Sequence, residues 1–134
     1  MKKVIIIFFF LSLISEAQEY EKAPNIILIM VDDLGAECLN SYGGTSYETP
    51  ILNKMSENGM QFENAHSMPI CTPSRVKLMT GKTNKKNHVE FAYLDPKEKT
   101  FSQVLKSAGY ETLIAGKWQL GQDKKLPKYF GFDE

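Results

Sequence analysis

A layered α/β fold is what the sequence predicts, and three stretches carry that expectation. Residues 25–31, "NIILIMV", form a continuous isoleucine-rich apolar run, the pattern of a strand buried on both faces of a parallel sheet. Residues 110–116, "YETLIAG", give a second strand candidate. Between them lie segments of helical apolar spacing, so the order reads strand, helix, short strand, helix, helix, strand. Such alternation suits helices packed on a sheet.

The elements can be taken in order. After the loop "SYGGTSYETP" at 41–50, Thr49 is placed to cap a helix with Pro50 in its first turn. Ile51, Leu52 and Met55 give that helix an apolar face and Gly59 a stop. "MQFENAH" at 60–66 reads as a short strand carrying Phe62 inward. In the next helix Thr72 caps, Pro73 takes the first position, Val76, Leu78 and Met79 face the core, and Gly81 closes it. Residues 82–98 are polar and aperiodic, the pattern of a long loop. Thr100 and Gln103 then have capping-box spacing, with Phe101, Val104, Leu105 and Ala108 as the buried face and Gly109 at the end.

Bulk composition sets the scale. A chain of 134 residues, 43% apolar, suffices for one domain with a packed core. Sixteen basic residues offset sixteen acidic ones, and the longest basic cluster, "KTNKK" at 82–86, is brief. Nucleic-acid binding therefore has no electrostatic footprint. The N-terminus has the order of a secretory signal: Lys2 and Lys3, an apolar run from Val4 to Ile14 broken only by Ser12, then the small pair Ser15 and Ala17. The run falls short of the roughly 20 apolar residues that span a bilayer. We therefore read residues 1–17 as a cleaved signal, with an uncleaved anchor as the alternative. The mature chain from residue 18 is then periplasmic or extracellular, with no membrane contact after cleavage.

Two places carry chemistry. "DDLG" puts Asp32 and Asp33 where the first strand would end, and ligands gather at the carboxyl ends of strands in open α/β sheets. Adjacent carboxylates repel, and a cation between them relieves that; an exposed turn with one acid capping the next element is the plain alternative. "PICTPSRVKLMTG" at 69–81 puts Cys71 just before a helix N-terminus, where backbone N–H groups and the dipole favour an anion. With only Cys38 as a possible partner, Cys71 is a buried thiol, half of a disulfide, or a reactive centre.

The chain resembles the N-terminal part of the formylglycine-dependent type I sulfatases, of the alkaline-phosphatase-like superfamily. "PNIILIMVDDLG" at 24–35, "CTPSR" at 71–75, "LMTG" at 78–81 and "AGYETLIAGKWQLG" at 108–121 match in order, and "YFGFDE" resembles the next block. The resemblance implies a mixed, mostly parallel sheet flanked by helices. It implies that a maturation enzyme oxidises Cys71 to formylglycine, leaving Cys38 a small core residue. One hydroxyl of the hydrated aldehyde attacks the sulfur of a sulfate ester, and the other later expels sulfate. It implies a calcium ion held by Asp32, Asp33 and the modified Cys71. Arg75 would steady the site, and Lys117 would meet charge developing on the sulfate. Trp118 is expected to pack rather than react. The substrate class implied is a sulfate ester, most simply of a carbohydrate.

Several positions depart from that pattern. Gln119 stands where the "GKWHLG" block has histidine, and an amide can hydrogen-bond a hydroxyl but cannot shuttle a proton. "KTNKKNHVE" replaces the usual R-Y-x-x-R, with Lys82 keeping one positive charge. His66 and His88 match no ligand and read as surface or loop residues. Whole sulfatases are several times longer, so residues 18–134 are expected to form an incomplete catalytic domain, inactive alone. Two other readings stand beside this one. One is a phosphodiesterase or phosphonate hydrolase of the same superfamily; the other is a non-catalytic exported domain with a Cys38–Cys71 disulfide.

Overall fold

A computed structural model describes residues 23–134. The signal segment expected at 1–17 lies outside the described residues. The chain divides into two units, one up to Val31 and one from Asp32 to Glu134. In the first, residues 25–31 are exposed and belong to no helix or strand; Ile27 is 85% and Ile29 72% exposed. The predicted first strand is therefore not formed. An apolar run becomes a strand only when neighbouring backbone satisfies its N–H and C=O groups, and these residues have no such partner among those described.

No strand occurs among the described residues, so the helical half of the α/β expectation is present and the sheet is not. Residues 110–116 come nearest. The Asp133 N–H donates to the Thr112 carbonyl at 2.6 Å, and the Ile114 N–H to the Glu134 carbonyl at 2.9 Å. Two bonds do not extend into a ladder. Residues 60–66 also form no strand, and Phe62 is 63% exposed rather than inward.

The second unit contains two short 3-10 turns, Ala36–Cys38 and Asn40–Tyr42, and five helices. These are α1 (Pro50–Asn58), α2 (Cys71–Thr80), α3 (Asn84–Asn87), α4 (Phe101–Ser107) and α5 (Leu126–Tyr129). Thr49 precedes α1 but does not cap it through its side chain. It exchanges bonds with Asn40 instead: Asn40 N–H to Thr49 Oγ1 at 3.1 Å, and Thr49 N–H to Asn40 Oδ1 at 2.7 Å. The face expected to be buried on α1, Ile51, Leu52 and Met55, is exposed.

Helix α2 begins at Cys71, earlier than a Thr72 cap would allow, and Ile70 takes the N-cap position. The Thr72 hydroxyl has another partner: it is fully buried and accepts the Ala92 N–H at 3.1 Å. At the other end Gly81 is left-handed (φ 65°) and its N–H bonds the Lys77 carbonyl, as its position predicts. The stretch expected to be a loop, 82–98, contains the single turn α3, and Asn87 is buried there.

Helix α4 starts with the predicted capping box: Thr100 Oγ1 accepts from Gln103 N, and Gln103 Oε1 accepts from Thr100 N. The same start is fastened to the core. Thr100 Oγ1 and Ser102 Oγ both donate to the Phe130 carbonyl, at 2.7 and 2.6 Å. The core itself gathers Val76 and Met79 of α2 with Leu94, Leu120, Phe130 and Phe132, and Phe101, Ile114, Trp118 and Leu126 pack on it. Trp118 lies against Phe130 and Phe132 with ring centroids 5.8 and 6.3 Å away, which bears out its packing role. Gly131 (φ 103°) must be glycine here, because a Cβ would come 2.7 Å from the Gln103 backbone nitrogen.

Two outcomes follow from these contacts. Thr100→Ala removes the cap and a buried donor to Phe130, and should lower the urea midpoint by the equivalent of about 1–2 kcal/mol with the slope unchanged. Asp133 pairs with Lys106 and accepts the Thr112 N–H, and these two, the Lys106 bond foremost, lower its pKa from 3.8 to about 2. A depressed acid stabilises above its unfolded value and loses that contribution as pH falls through the folded one. Asp133→Asn should therefore flatten the fall in urea midpoint between pH 3.8 and about 2.

Candidate active site

Helix α2 carries Cys71 in its first turn and Arg75 one turn later, and is anchored in the core by Val76 and Met79. Trp118 anchors the segment after residue 116 in the same core, which brings Lys117 and Gln119 alongside. Asp32 closes the group from the start of this unit. Lys117 Nζ donates to Asp32 Oδ2 at 2.6 Å, and an Arg75 guanidinium nitrogen reaches the same oxygen at 3.3 Å. A second guanidinium nitrogen of Arg75 donates to the Lys117 backbone carbonyl. Residues 32, 75 and 117, far apart in sequence, are thus tied together through one carboxylate oxygen and one guanidinium.

Their charges respond accordingly. The hydrogen bond from Lys117 is the main cause that holds Asp32 below the ordinary aspartate range, with Arg75 adding to it against some desolvation. The Asp32 bond likewise raises the Lys117 ammonium above the ordinary lysine range. Arg75 is the most enclosed of the three, with its side chain 12% exposed against 39% for Asp32 and 47% for Lys117. Water therefore screens the Asp32–Lys117 pair, and its value lies in orientation more than in stability.

Asp33 and Gln119 sit differently. Asp33 is exposed, has a left-handed backbone (φ 58°) and makes no hydrogen bond or ion pair with another described residue. Gln119 is also left-handed (φ 50°) and half-buried, and its Oε1 is buried without a partner among the described residues. Among the described residues no cluster of three or more His, Cys, Asp or Glu could hold a metal. His66 is exposed, and His88 is a half-buried loop residue just after α3, with Nδ1 unpartnered among the described residues, so both agree with the surface-or-loop expectation. Cys38 and Cys71 are both free thiols, so the disulfide of the non-catalytic reading is not formed in this structure.

The sulfatase family model matches residues 24–134. The chain belongs to the sulfatase family. Among the family's proteins, N-acetylgalactosamine-6-sulfatase of Homo sapiens is 38% identical over 128 residues, covering 83% of this chain and 24% of the relative. Arylsulfatase A of Bos taurus is 39% identical over 121 residues, covering 81% and 24%. The fold is also similar to the solved structure of BT4656 in complex with its substrate D-glucosamine-2-N,6-O-disulfate. That match has a TM-score of 0.74 at 32% identity, covering 84% of this chain and 22% of the other. The chain thus spans about a quarter of the length of the sulfatases it matches.

The sequence motifs pointed to Asp32, Cys71, Arg75 and Lys117, but not to what supports them. Ala92 escaped notice because alanine carries no signal of a left-handed backbone; its φ is 57°, and its N–H serves Thr72, next to Cys71. The three described non-glycine residues with positive φ, Asp33, Ala92 and Gln119, all adjoin this candidate site or support it. Strain of this kind persists where surrounding structure fixes it, and it gathers at functional sites. Ala92→Gly relieves the left-handed strain while adding unfolded-state freedom, and should raise stability by about 0.5–1 kcal/mol in urea unfolding.

Proposed function

We propose that this chain provides the nucleophile-bearing segment of an exported sulfatase, with Cys71 the residue converted to formylglycine by a maturation enzyme. The observation that carries the reading is the junction of Asp32 and Lys117 on Arg75 of α2, one helical turn after Cys71. It unites three separate sequence motifs in one place. The α/β sheet of alkaline-phosphatase-like enzymes is proposed as its complete setting, supported by the likeness to BT4656. A sulfated carbohydrate is the proposed substrate class, since BT4656 was solved with a sulfated glucosamine.

The donor chemistry fits a calcium ion in part. Asp32 and Asp33 offer hard carboxylate oxygens, and Asp33 has no competing partner among the described residues. Calcium takes about 6–8 oxygens, so these two residues and the group at 71 are a portion of its shell. Formylglycine made from Cys71 would supply a hydrated aldehyde as the nucleophile toward sulfur, and a calcium ion held by Asp32 and Asp33 would supply positive charge.

The chain's own residues prepare that site. Arg75 holds the Asp32 carboxylate and the Lys117 carbonyl at once, fixing their spacing. Lys117 presents an ammonium that stays charged at neutral pH and can bind the sulfate oxygens as negative charge grows on them. Gln119 offers an unpartnered carbonyl oxygen that can accept a bond from a hydroxyl, but moves no proton. Proton transfer in this reading falls to groups other than residue 119. The cysteine in "CTPSR" favours sulfate over the phosphodiester reading.

Peptide mass spectrometry across residues 69–81, after coexpression with a formylglycine-forming maturation enzyme, tests the assignment. We expect an aldehyde at position 71 that a hydrazide reagent captures. An intact thiol, or a bridge to Cys38, would overturn it.

A further inference from the structure

Helix α2 lacks the usual device at its start. The N-cap residue, Ile70, has no side-chain acceptor, and the third helical residue, Pro73, has no N–H for a cap to receive. Packing does not hold the approach to the helix either, since Ile70 is 54% exposed and Pro69 is exposed. What does hold it is a side chain from inside the helix. Ser74 Oγ accepts the Met68 N–H at 3.0 Å and lies 3.2 Å from the Met68 carbonyl and 3.1 Å from the Ile70 carbonyl. Its single proton can serve one of those carbonyls at a time. Serine hydroxyls readily bond the carbonyl four residues back, and here that bond extends into a clasp on the incoming loop.

We propose that Ser74 is a positioning residue for Cys71: its hydroxyl clasps residues 68–70 and so fixes where Cys71 sits in the first turn of α2. Cys71 follows Ile70 directly, so the set of the Ile70 peptide determines where its Cα lies and where its Cβ points. Fastening the chain from Ser74 leaves the N–H end of the helix free of any capping side chain, open on the side of the nucleophile. The serine of "CTPSR" thus has a role in the folded chain. The proposal rests on Cys71 being the functional centre, yet the clasp is measurable whether or not Cys71 is ever oxidised.

The test uses the 134-residue chain with Cys38→Ala, so that Cys71 is the one thiol. Residue-resolved amide exchange of Met68 and iodoacetamide alkylation of Cys71 at one fixed pH are the readouts, with the Val104 amide of α4 as the global reference. Ser74→Ala should speed Met68 exchange about tenfold and Cys71 alkylation severalfold, leaving Val104 unchanged. Ser74→Thr keeps the hydroxyl and should return both rates to within about twofold of the Ser74 chain. Unchanged rates in Ser74→Ala overturn the proposal, as does an unprotected Met68 amide in the Ser74 chain. If the alanine variant fails to fold, the Met68 protection of the Ser74 chain and the Ser74→Thr rates decide: raised rates in the threonine variant refute the clasp. A Cys71 that stays a thiol in the maturation experiment changes none of these readouts, so the two failures are distinguishable.

Discussion

The aromatic junction of Trp118 with the buried Phe130 and Phe132 sets the geometry of everything around the candidate site. Trp118 packs on both phenylalanines, and the same core receives Val76 and Met79 from α2. Arg75 precedes Val76, and Lys117 precedes Trp118. Each charged residue is therefore held by the apolar neighbour that follows it in sequence. The Phe130 carbonyl adds a second fastening through Thr100 and Ser102, both fully buried. A buried carbonyl without donors would be costly, so these hydroxyls fix the segment as firmly as its rings do.

Beside that core the site is polar and partly open. One oxygen of Asp32 takes two cationic partners, and one guanidinium bridges Asp32 to the backbone of Lys117. Such a network adds little stability in water, but it leaves few ways to arrange its members. The local backbone carries matching strain, with left-handed Asp33 and Gln119 flanking the ion pair. Asp33, Gln119 and the second oxygen of Asp32, Oδ1, all keep carboxylate or amide oxygens free of described partners.

Much of this was legible in the sequence, and the misses have physical causes. The capping box at Thr100 was readable because both partners lie within one turn, and the Gly81 stop because glycine tolerates the left-handed backbone. The Thr72 cap was misread because its hydroxyl serves Ala92, twenty residues on, which local pattern cannot reveal. The strand at 25–31 was inferred from apolar composition, but a strand exists only with a pairing partner, and none is present among the described residues. The apolar face of α1 failed for the same reason: amphipathic spacing shows what could be buried, not what lies opposite to bury it.

What the sequence determined by itself was chemical identity: a cysteine in "CTPSR", an aspartate pair, and a lysine in "GKWQLG", each recognisable from residue type at short spacing. Only the tertiary structure decided that Asp32, Arg75 and Lys117 share one carboxylate oxygen and one guanidinium, while Asp33 stands apart. The reason is separation. Contacts between residues 43 and 85 positions apart depend on how the core orients their segments, and that orientation comes from packing that no local stretch encodes.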